Sequence, residues 1–303
     1  MEFMKRYSRV FLPGLLSISA VLGLLQYAEG ADKLPVFVSI LPQRFVVERI
    51  GGEKVDVSVM VSPGQSPATY EPSQKQMAEL SRAILFFGIG VPFELVWMPK
   101  ITAVYPDLRI VDTRAGITLR SMKSHHHEGK SHESEPPAHS SGEKDPHVWL
   151  SPKCMIRICQ NTCAALAGVD PQNRAFYEAN LNALLEDLNQ LDREIRQSLA
   201  SVRSRRFMVF HPAWGYFADE YELEQIPIEI EGKEATARAL VRFIDEASEE
   251  GVKVIFVQKQ FSTTSAKAIA EAIEGRVVPL DPLALDYLDN LRRIARALGE
   301  GLK

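Results

Sequence analysis

The feature that most constrains this chain is residues 171–202, which contain no Gly and no Pro after Pro171. Within them Leu181, Leu184, Leu185, Leu188, Leu191 and Ile195 recur at helical spacing, so one face is apolar throughout. Asp170 is suited to cap such a helix, and Pro171 to its first turn, where a missing N–H removes no bond. A helix of roughly 30 residues is about 45 Å long, enough to cross between two domains. The chain has 303 residues, a length that accommodates two medium-sized domains.

On either side of this helix the pattern alternates. Residues 35–40 form a short apolar run, and an amphipathic stretch follows and stops at Gly51-Gly52. Residues 55–61 alternate as a strand, 73–82 read as a helix, 83–87 as a buried strand and 109–112 as another. Beyond the long helix, strands are expected at 207–210, 226–230, 254–257 and 277–280. Alternating units of this kind predict an α/β fold of two lobes, each a mainly parallel sheet with flanking helices, joined by a long rigid helix. The expected boundaries are 31–169 for the first lobe, 170–202 for the linker helix and 203–303 for the second lobe.

The first thirty residues stand apart. Lys5, Arg6 and Arg9 precede an apolar stretch over residues 10–25, and Ala28-Glu29-Gly30 offers small residues at cleavage spacing. This is the layout of a signal peptide spanning residues 1–30, so the mature chain is expected in the periplasm. No Cys follows the apolar run, which argues against a lipid anchor. The formal charge of -4 builds no basic stripe and argues against a nucleic-acid partner. Cys154, Cys159 and Cys163 fall in one predicted helix, with Cys159 and Cys163 on a shared face; buried thiols are expected there, neither a zinc site nor a disulfide.

Residues 121–144 break the alternation. They hold His125, His126, His127, His132 and His139 among Ser, Glu, Lys and Pro, with almost nothing apolar to bury. The composition predicts a surface loop whose neutral imidazoles capture transition metals weakly and reversibly.

In open α/β sheets, ligands bind beyond the carboxyl ends of the strands. Here His211 follows the strand at 207–210, Asp281 follows the strand at 277–280, and His147 closes the His-rich loop ahead of a helix. Two imidazoles and a carboxylate suit zinc better than calcium or magnesium, which favour oxygen ligands.

The segments that carry a family resemblance are Ser66-Pro67-Ala68-Thr69-Tyr70-Glu71-Pro72, Asp145-Pro146-His147-Val148-Trp149-Leu150-Ser151-Pro152, Phe210-His211-Pro212-Ala213-Trp214-Gly215-Tyr216-Phe217 and Leu280-Asp281-Pro282-Leu283. Ile230-Glu231-Gly232-Lys233-Glu234 fits a further stretch. With these, nearly the whole mature chain resembles the zinc and manganese receptors of ABC importers. The resemblance implies a metal cleft between two lobes, with His147, His211 and Asp281 as ligands. It implies zinc, manganese or a similar divalent ion as cargo, the membrane permease of an ABC importer as partner, a monomeric receptor and no catalytic activity. One departure is clear: the family's first ligand is a histidine, and this chain has Ala68 there. A water, Glu71 or a histidine from the loop are the candidates for that position. A periplasmic metal buffer or adhesin-like protein fits the same residues. A zinc-dependent hydrolase fits less well, because Glu71 is the one general base near the site and no His-Glu-x-x-His helix exists.

Overall fold

A computed structural model describes residues 33–122, 144–228, 236–261 and 263–303. The expected signal peptide, the five loop histidines and the Glu231 segment lie outside those residues.

The first sheet contains β1 (Leu34–Val38), β2 (Val55–Val59), β3 (Leu85–Gly88) and β4 (Arg109–Asp112), all parallel, in the order β2-β1-β3-β4. Its crossovers carry α1 (Leu41–Gly51), α2 (Gln74–Leu80) and α3 (Pro92–Val104). Every residue of β3 is buried, as expected of a parallel strand covered on both faces. After α4 (Pro152–Val169) and α5 (Arg174–Leu199), the second half builds β5 (Arg206–Val209), α6 (Gly215–Glu220), β6 (Glu224–Pro227), α7 (Ala237–Glu249), β7 (Val254–Gln258), α8 (Thr264–Ala272), β8 (Arg276–Leu280) and α9 (Tyr287–Gly301). This sheet is also parallel, in the equivalent order β6-β5-β7-β8. In each sheet the order reverses between the first and third strands, β1/β3 and β5/β7. A crevice opens at the carboxyl ends of such a pair.

The long helix is shorter than its sequence suggests. Residues Pro171–Asn173 form a 3-10 turn, and α5 proper has 26 residues, about 39 Å. Asp170 does not cap it: its carboxylate accepts the Asn173 amide at 2.7 Å and the Tyr177 hydroxyl at 2.5 Å. That bracing of the preceding turn is why the regular helix starts later. Leu184, Leu188, Leu191 and Ile195 are fully buried, while Leu181 and Leu185 flank them half-buried. Each full burial contributes about 1.5–3 kcal/mol. This face packs on α1 and α4 from the first half and on α9 from the second.

The halves are not separate bodies. One hydrophobic cluster runs from Val36 and Phe86 through α5 to Phe207, Phe256 and Leu298, and residues 33–303 form one compact unit. A second cluster, with Met208, Phe210, Ile226, Ile255 and Ile269, covers the other face of the second sheet. Phe207 and Val209 point into the first cluster and Met208 and Phe210 into the second, the two-residue period of a strand.

Buried polar groups tie the carboxyl ends of the first sheet together. Glu94 accepts from the Ser39 hydroxyl at 2.6 Å and from the Ile89 and Gly90 N–H groups at 2.9 and 2.8 Å. Gln43 accepts from Ser39 N–H and donates to the carbonyl of Phe87 and the hydroxyl of Thr113. The three cysteines lie in α4 as free thiols, Cys159 and Cys163 buried and Cys154 half-buried. Burial pushes the Cys159 thiol well above its ordinary range, which makes it inert packing. Among the described residues no helix is long and apolar enough to cross a membrane.

Candidate metal site

A cavity of about 250 Å³ lies beyond the carboxyl ends of both sheets. Ser66, Pro67 and Ala68 wall it on one side, with Gly90 and Arg114 from the first sheet's ends, and His147, His211, Phe261, Pro282 and Leu283 are among its other lining residues.

Each wall is set by local chemistry. Tyr70 is buried edge-on to Phe93 with ring centroids 5.1 Å apart, its hydroxyl donates to Gln76 at 2.7 Å, and Phe93 N–H bonds the Pro67 carbonyl at 3.2 Å. These contacts bring exposed Ala68 to the cavity rim. Arg114 is held by Asp112 through two bonds, at 2.9 and 3.0 Å, and lies across Gly90. A Cβ at Gly90 would come within 1.6 Å of that guanidinium, and its φ of 73° also calls for glycine.

His211 extends from the end of β5. Its N–H donates to Gln258 at 3.2 Å, the Gln258 amide returns a bond to its carbonyl at 2.6 Å, and Phe261 stacks on its ring at 5.1 Å. His147 lies in a turn before the 3-10 helix Val148–Leu150, which intervenes ahead of Ser151, the N-cap of α4. Asp145 accepts both the backbone N–H of His147, at 2.9 Å, and a contact with its Nδ1 at 2.7 Å. The two imidazoles, 64 residues apart in sequence, stand edge to face with centroids 5.2 Å apart.

Asp281 follows Leu280, the strand partner of the Gln258 that bonds His211, and is not on the cavity wall, which its neighbours Pro282 and Leu283 supply. Its carboxylate accepts Leu283 N–H at 3.0 Å and pairs with Lys259 at 3.3 Å. Trp149 fastens this segment to the histidine turn: its indole donates to the Pro282 carbonyl at 2.8 Å, and the Tyr287 hydroxyl donates to the Trp149 carbonyl at 2.8 Å. Among the described residues no three of His, Cys, Asp and Glu converge as a metal-holding group. The structure therefore brings His147 and His211 together and leaves both Asp281 and exposed Glu71 off the cavity wall.

Sequence reasoning gave no role to Asp145, Gln258 or Phe261. Asp145 had a usable signal, because an Asp two residues before a histidine can close an Asx turn onto its N–H. Gln258 and Phe261 act across the strand order, which single-sequence spacing does not reveal.

The pattern of the family described as zinc-uptake complex component A, periplasmic, matches residues 36–301. The chain belongs to that family. The high-affinity zinc uptake system protein ZnuA of Bacillus subtilis is 29% identical over 285 residues, covering 89% of this chain and 88% of the relative. A crystal structure of ZnuA is 40% identical, with a TM-score of 0.82 over 90% of this chain and all of that one. A zinc-bound ZnuA deletion mutant is likewise 40% identical, with a TM-score of 0.81 over 90% of this chain and 99% of that one. The family is one of transport receptors for metal ions, and both imidazoles fall within the matched residues of this member.

Proposed function

We propose that this protein is the periplasmic receptor of an ABC importer, capturing zinc through His147, His211 and Asp281 and delivering it to the membrane permease. The observation that carries this reading is the pair of imidazoles held 5.2 Å apart at the crevice of two parallel sheets. Neutral imidazole favours zinc over calcium or magnesium, while manganese and similar ions remain weaker competitors for the same groups.

Binding needs Asp281 to exchange Lys259 for the ion. That pair is cheap to break, because Lys259 is two-thirds exposed and such surface pairs contribute at most about 1 kcal/mol. With Ala68 in place of a fourth ligand, the coordination shell keeps one position for a water or a histidine of the 121–144 loop. The protein acts as a carrier without catalysis, as a monomer, after loss of residues 1–30. Its ligand-bearing halves are 31–169 and 203–303, bridged by 170–202. The test is reconstitution with the permease and ATPase of the importer in vesicles. Zinc-loaded protein is expected to stimulate ATP hydrolysis and zinc entry; equal rates with and without it would contradict the reading.

A further inference from the structure

The contacts around Asp145 form a chain from the second half of the molecule to the imidazole of His147. Asp145 is 2% exposed, and one carboxylate oxygen, Oδ1, takes both His147 N–H and Nδ1. Its backbone is fixed in turn. Asp145 N–H donates to the Arg120 carbonyl at 2.9 Å, and the next pair outward, Ser121 and Lys144, forms an antiparallel bridge. The hydroxyl of Tyr216, on α6, sits between these two strands of chain. It accepts Arg120 N–H at 3.0 Å and donates to the Asp145 carbonyl at 2.9 Å. Gly215 completes the fit: a Cβ there would lie 2.0 Å from Arg120 Nη1 and 2.9 Å from Asp145 Oδ2. The glycine makes room for a guanidinium and a carboxylate over the start of α6.

We propose that Asp145 is a positioning residue for metal capture: it orients the His147 ring so that a metal is taken through Nε2, and Tyr216 holds Asp145 in register with the half that supplies His211. This rests on the zinc-receptor reading and adds to it. An imidazole whose Nδ1–H is engaged by a carboxylate is locked in one tautomer and orientation and becomes a more basic ligand. Without that bond the tautomer is no longer set by the carboxylate, and the correct one has to be selected at each binding event. Because Tyr216 belongs to the His211 half and Asp145 to the His147 segment, the same clamp fixes the two imidazoles relative to each other.

The test is zinc affinity by chelator competition on the full chain, beside the metal-free melting temperature. Asp145→Ala is expected to weaken zinc binding about 10–100-fold, the usual effect of removing such a partner. Asp145→Asn keeps an acceptor for Nδ1 and for the His147 N–H, and should recover most of that loss. Tyr216→Phe should weaken binding by a smaller factor than Asp145→Ala. A role exercised through His147 also requires that Asp145→Ala add almost nothing in a His147→Ala background, which a merely structural contribution would not satisfy. Tight parent binding that is lost in His147→Ala but unchanged in Asp145→Ala would overturn this role alone. Equal binding by the parent and His147→Ala would overturn both this role and the metal site.

Discussion

At the scale of single residues, the site is a set of side chains whose roles follow from what touches them. Ala68 stands on the cavity rim at the position where the family resemblance implies a histidine ligand, so Ala68→His should add a ligand. The expected gain in zinc affinity is at least about tenfold, read by chelator competition, since losing even an indirect partner costs 10–100-fold. No change would mean that another group already fills the position. Glu94 offers a test of the scaffold. Burial raises its pKa above the ordinary 4.5, with the Ser39, Ile89 and Gly90 donors acting against that shift. A carboxyl with a raised folded pKa binds its proton more readily when folded, so its cost to stability is absent below about pH 4.5 and grows as pH rises. Relative to Glu94→Gln, the parent should therefore lose stability as pH increases from 4 to 8, measured by urea unfolding at each pH; a constant difference would contradict this. The two histidines that meet at the cavity are marked in the sequence by a strand end and by motif segments. Asp145 and Gln258 are not, because their function lies in bonds to backbone groups brought close by folding.

At the scale of elements, the strand–helix alternation was legible because parallel strands here are short apolar runs and the crossovers are amphipathic. The start of α5 was not. Asp170 has the composition of a cap, but Asn173 and Tyr177 compete for its carboxylate and shape a separate turn. The apolar stripe of α5 is legible in its leucine spacing, and Leu188 lies at its centre with no exposed surface. Leu188→Ala should destabilise the protein by about 2–5 kcal/mol, as truncation of a fully buried leucine does. A loss under about 1 kcal/mol in denaturant unfolding would show that α5 is not the packing spine between α1, α4 and α9.

At the scale of the whole molecule, two sheets of the same strand order share one core and set their crevices against each other, and α5 with α9 keeps the halves in register. That arrangement brings His147 and His211 together from distant parts of the chain, while the 121–144 segment has almost nothing apolar to contribute to a core. Its roots are pinned by the Ser121–Lys144 bridge, so deleting residues 123–143 should preserve the fold and the tight site and remove weakly bound ions. Loss of the tightest site on that deletion would mean the segment supplies a primary ligand. Protons compete with zinc for neutral imidazoles, so affinity should also fall as pH is lowered from 7.5 to 5. The most direct measurement is a zinc titration of the 123–143 deletion protein beside the same protein carrying His211→Ala. The expected result is one tight zinc per chain in the first and its near-complete loss in the second. Equal affinity in the two proteins, or no tight zinc in the first, would contradict capture of the metal between the halves.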